Sequence, residues 1–173
     1  MKILGDTRFQ RTGKWRFTIG DRYYDITLCS LPYGFDEDLE KILPSPVPPR
    51  KPVYGPKGEK VFVKGSKTVQ LTEPNEDDPK YLRKLAENRV HQGLWMIYNG
   101  LKCEPNWVWD HKPEDYPDNL SGFCEAIREE LRKSEMPYGV MGDMLRAILE
   151  ISGTPDEAIE EAEQDFLSGT SSD

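Results

Sequence analysis

The sequence predicts an α+β fold: a small antiparallel β module followed by a bundle of about four helices. Three observations carry that reading. Apolar residues alternate with polar ones in two short stretches before residue 72, and helical periodicity takes over after Asp77. The charge also changes near Glu73 and Pro74, from 13 Lys+Arg against 9 Asp+Glu to 10 against 22. Residues 1–72, 73–168 and 169–173 are therefore expected to be a β module, an acidic helical domain and a frayed tail.

The elements follow in order. Trp15, Phe17 and Ile19 alternate, Gly20-Asp21 interrupts, and Tyr24, Ile26 and Leu28 alternate again, which reads as a β-hairpin. Residues 36–43 form a candidate short helix with Leu39, Ile42 and Leu43 on one side. Six prolines between positions 44 and 56 remove backbone donors and fix φ, so that segment is extended and no central strand. Val61 to Val63, a Gly65-Ser66 turn, then Val69 and Leu71 predict a second hairpin.

Asp77 or Asp78 can cap the first long helix, with Pro79 in its first turn. Its apolar stripe runs Leu82, Leu85, Ala86, Val90, Leu94, Ile97, Tyr98 and Leu101, and Gly100 and Pro105 mark its end. A loop rich in Trp, Pro and Asp follows. The second helix carries Leu120, Phe123, Cys124, Ile127 and Leu131, and the third Tyr138, Met141, Leu145, Ile148 and Leu149. Thr154-Pro155-Asp156-Glu157 reads as a capping box opening the last helix, which buries Ala158, Ile159, Ala162 and Phe166.

Composition narrows the function classes. An acidic balance argues against a dedicated nucleic-acid binder, since phosphate attraction needs clustered Lys and Arg. The densest basic group (Arg8, Arg11, Lys14, Arg16 and Arg22) reads as a solvated strand face. No apolar run approaches the roughly 18–20 residues that span a bilayer, and the apolar segment in MKILGDTRFQ is too short for a secretory signal. Three cysteines without a CxxC pair fit a reducing compartment. A soluble, intracellular protein without membrane or nucleic-acid partners is expected.

No cofactor, metal or catalytic residue is expected. The histidines, His91 and His111, lie on different elements; Cys103 and His111 could meet around one loop, but no second pair completes a site. Adjacent carboxylates such as Glu129-Glu130 and Glu160-Glu161 diverge on helices, and no phosphate-binding loop or nucleophile elbow is present. The candidate partner-binding residues are Trp107, Trp109 and Tyr116. Aromatic side chains so closely spaced either cover the core between the first two long helices or anchor a partner. A pocket around Trp107, Trp109 and Asp110 is the enzymatic alternative. Amphipathic helices in so short a chain also predict self-association.

The stretches DDPKYLRKLAENRVHQGLWMIYNGLK, GFCEAIREELRKSEMPYGVMGDMLRAILEIS and GTPDEAIEEAEQDFLSG together resemble the tail assembly chaperones of long-tailed bacteriophages. The resemblance covers residues 77–167 and rests on helix order and acidity. It implies a non-enzymatic protein of the bacterial host cytoplasm that binds the tape-measure protein and brings tail-tube subunits to it. It also implies that a longer, frameshifted form can exist. A structural or adaptor protein of a phage virion, such as a tail or connector component, shares the same outline.

Overall fold

The computed structural model describes residues 10–170. Arg8 and residues 171–173 lie outside them. The fold is α+β, with a small antiparallel sheet near the N-terminus followed by five helices. The chain divides into two compact units, 10–44 with 86–170, and Ser45–Leu85. This division differs from the one that composition predicts. The first hairpin shares a core with the helices, while the second hairpin belongs to the other unit.

Strands β1 (Thr12–Ile19) and β2 (Arg22–Cys29) pair in register from Thr12↔Cys29 to Ile19↔Arg22. Gly20, at φ 58°, takes the left-handed position that a two-residue hairpin turn requires. One face carries the Trp15, Phe17 and Tyr24 rings, stacked 4.9 and 5.1 Å apart. The other face carries an exposed Arg16–Asp25 pair at 2.6 Å. After β2, the Leu31 amide donates to Ser152 Oγ at 2.9 Å, 121 residues away. Helix α1 (Phe35–Ile42) buries Leu39 and, just past its end, Leu43. Ile42, expected on the same side, is 47% exposed. Gln92 Nε2 donates to the Leu43 carbonyl and Asn88 Nδ2 to that of Pro44.

The unit Ser45–Leu85 is built from backbone bonds, and none of its described residues is buried. Strands β3 (Arg50–Pro52) and β4 (Thr72–Pro74) pair antiparallel, so the proline-dense segment contributes an ordered two-stranded edge. The Val53 amide donates to Leu71, Leu71 to Val61, and Val61 to Val53, closing a ring of three extended segments. The second hairpin pairs through Val63 N–H to the Val69 carbonyl at 2.9 Å.

Helix α2 (Pro79–Gly100) starts at Asp78, whose Oδ1 accepts from the Lys80 and Tyr81 amides at 3.0 and 2.9 Å. Its stripe is buried only from Val90 onward, and Leu82 is 49% exposed. Gly93 and Gly100 act in packing. A Cβ on Gly93 would meet the Phe166 ring, and one on Gly100 would meet Ile148. Helix α3 (Leu120–Lys133), capped by Asn119, buries Phe123, Cys124, Ile127 and Leu131 as the periodicity predicts. Helix α4 (Tyr138–Ser152) buries Met141, Leu145, Ile148 and Leu149, but Tyr138 is exposed.

Helix α5 (Asp156–Thr170) buries Ile159 and Phe166 and leaves Ala158 exposed. It continues through positions 169 and 170, which were expected to fray. The capping box gives way to another device. Gly153, at φ 82°, closes α4, and the Thr154 amide donates to the Leu149 carbonyl, so it cannot serve Glu157. The Pro155 carbonyl accepts the Ala158 and Ile159 amides in the first turn of α5. Arg89–Asp165 at 2.6 Å and Arg146–Glu163 at 2.9 Å tie α5 to α2 and α4. Among the described residues no helix is long and apolar enough to cross a membrane.

Two thiols lie in this core. Cys124 Sγ donates to the His91 carbonyl at 3.4 Å and Cys29 Sγ to that of Gly100 at 3.3 Å. Burial pushes each from the ordinary 9.0 up to about 12, with the Cys103 thiol a second cause for Cys29. These pKa values are raised in the folded chain, so unfolded thiols ionise first. Their contribution is complete below about pH 9 and falls as pH rises toward 12. Cys124 alone is expected to remove up to about 1.4 kcal/mol per pH unit in that window. Denaturant midpoints between pH 8 and 11 check this, and Cys124→Ala should fall less steeply than the parent chain. Equal slopes would refute the assignment.

Candidate functional site: an aromatic shelf beside helix α3

The shelf begins on α2. Trp95 and Tyr98, three residues apart, share one face and stack at 5.5 Å. Phe123 of α3 is fully buried and meets Trp95 and Tyr98 edge-on at 5.8 and 5.0 Å. Lys102, from the 3₁₀ turn after α2, sets its ammonium 5.2 Å from the Tyr98 ring centre and 5.9 Å from that of Trp95. The Tyr98 hydroxyl titrates above the ordinary value, first through burial and then through the Glu114 charge.

The loop at 104–119 adds the remaining rings, and Glu104 positions its start. Its buried carboxylate accepts from the Thr27 amide at 2.6 Å and from the Asn106 amide and side chain at 3.1 and 3.0 Å. These bonds, the Thr27 one first, hold the carboxyl below the usual range. Glu104 thus ties β2 to the residues just before the tryptophans. Trp107 and Trp109 lie 5.5 Å apart, and Trp109 reaches Tyr98 at 6.0 Å. The Asp110 amide donates to Glu130 Oε1 at 3.1 Å, fastening the far side of the loop to α3. Tyr116 packs on Phe123 at 5.8 Å, with a 3.0 Å hydrogen bond between its hydroxyl and His111 Nδ1.

Trp107, Trp109 and Tyr116 therefore converge on one cluster. All three are half-buried and pack against the core, leaving outer edges open. Val108, between the tryptophans, is 79% exposed. The spacing of the loop aromatics did not reveal Trp95, Tyr98, Lys102 or Val108. The i,i+3 aromatic pair on α2 is the signal that could have found two of them. Asp110 is exposed, and the shelf offers apolar rings, one cation and a phenol bonded to an imidazole. That chemistry suits binding an apolar or aromatic side chain.

His111 is engaged through Nδ1 with Tyr116, and Cys103 stands beside Cys29. Metal-ligand side chains converge elsewhere among the described residues, where Glu87 and His91 of α2 meet Glu125 of α3. Comparison with protein-family models, curated proteins and solved structures yields no significant match.

Proposed function

We propose that the chain is a tail assembly chaperone acting in the bacterial host cytoplasm. In this reading it holds the tape-measure protein of a long-tailed phage and recruits tail-tube subunits to it. The observation that carries the reading is the half-open aromatic shelf on an acidic helical body. Rings fixed by packing lose little freedom when a client side chain covers them, which is how Trp and Tyr come to dominate interfaces. An acidic surface keeps such a complex soluble. The order and acidity of the helices support the same assignment.

Co-expression with the tape-measure protein of the same phage tests it, with a soluble complex as the expected result. Val108→Asp places a charge at the exposed tip, so it should weaken client binding at least about tenfold, or 1.4 kcal/mol, with an unchanged melting temperature. Trp107→Ala with Trp109→Ala should weaken binding further. It should also destabilise the chain by about 3 kcal/mol, the low end for truncating buried aromatics. A client that stays insoluble, or that binds Val108→Asp as tightly as the parent chain, would overturn the proposal. Recovery of the chain in finished virions would replace it with a structural role.

A further inference from the structure

We propose that Glu87, His91 and Glu125 form a binding site for one divalent metal ion of the zinc class. Glu87 and His91 are four residues apart on α2 and so face the same way. Glu125 approaches them from α3. One donor atom from each residue lies within 4.8 Å of the other two. His91 is only 6% exposed, and its Nε2 stands 2.6 Å from Glu125 Oε1. The nitrogen donor is therefore a buried imidazole held against a carboxylate from a second element, a different arrangement from a patch of surface acids.

The distances suit a metal. Zinc bonds of about 2.0–2.2 Å at tetrahedral angles place neighbouring donors about 3.3–3.6 Å apart. The His91–Glu125 pair stands at 2.6 Å and all three donors lie within 4.8 Å of one another, so movement at the ends of two glutamates brings them to that spacing. One imidazole with two carboxylates favours Zn²⁺, Co²⁺ or Ni²⁺ over the all-oxygen preferences of Mg²⁺ and Ca²⁺. Glu87 is exposed, which leaves the remaining coordination positions open to water. Cys124 Sγ bonds the His91 carbonyl, fixing α3 against α2 at this turn. Arg128 opposes binding, with Nη1 3.8 Å from Glu125 Oε1.

A His91–Glu125 hydrogen bond serving packing alone is the competing account, and it assigns nothing to Glu87. Titration of the full chain with Co²⁺, in a Cys103→Ser background that removes the half-buried thiol, separates the two. The expected result is visible d–d absorption that saturates at one equivalent and is displaced by Zn²⁺. Glu87→Gln changes an exposed side chain and leaves the core intact. It should weaken Co²⁺ binding by more than about 10- to 100-fold, the loss that outer partners of a metal site already cause, and Glu125→Gln should do the same. No saturable absorption, loss of binding with Cys103→Ser itself, or unchanged affinity in both glutamine variants would overturn the site.

Discussion

Phe123→Ala is expected to lower the unfolding free energy by about 3–5 kcal/mol, the range for deleting a fully buried aromatic ring. The ring meets Trp95, Tyr98 and Tyr116 within 5.8 Å, so its loss empties the centre of the shelf as well as part of the core. Denaturant unfolding supplies the free energy, and near-ultraviolet circular dichroism reports the order of the surrounding Trp and Tyr rings. Phe123→Leu refills most of the volume and should cost less, while still weakening the aromatic signal. A loss below about 1 kcal/mol for the alanine variant would mean that the cluster is organised around some other residue.

Gly100→Ala is the second large effect, and its sign opposes the intrinsic preference of a helix. In an unobstructed helix, alanine gains about 0.8–1.0 kcal/mol over glycine. Here the added Cβ would lie 2.4 Å from Ile148 Cδ1 and 2.6 Å from Cγ1, inside any real contact distance. Ile148 is fully buried and β-branched, so it cannot swing aside. A net loss of about 1–3 kcal/mol is expected. Gly139→Ala, with no neighbouring atom within 4 Å in the first turn of α4, should instead be neutral or stabilising. Combining Gly100→Ala with Ile148→Val should cost less than the two single losses together, because the second change makes room for the first. Strict additivity would place the strain elsewhere.

The sequence disclosed what depends on near neighbours. Asp78 and Pro79 mark the start of α2 because a cap and a first-turn proline act within one turn. The buried face of α3 is readable because one helix supplies its whole period. Misreadings arise where a second element decides. Leu82, Tyr138, Ile42 and Ala158 satisfy the apolar period, yet each stays exposed because its neighbours cover it only in part. Thr154 and Glu157 spell a capping box, but α4 claims the Thr154 amide first. Gly100 reads as a stop signal when its local reason is the girth of Ile148 on another helix. The same limit governs the site. Trp107, Trp109 and Tyr116 were visible as a group, whereas Phe123, which gathers their neighbours, looks like any other core residue of α3. The convergence of Glu87, His91 and Glu125 depends on how two helices meet, which spacing along one chain does not encode.

The bond from Leu31 to Ser152 bears on the order in which a ribosome delivers this chain. Strands β1 and β2 emerge early, with Phe17, Ile26 and Leu28 needing cover, but the α4 residues that pack on them follow roughly 120 residues later. At about 5–20 residues per second, that interval is about 6–24 s, far longer than the microseconds in which a hairpin forms. The nascent hairpin therefore waits, apolar side outward, for a partner not yet synthesised. Slow codons between α1 and α4 would prolong that exposure, and a holdase chaperone would find its first target there.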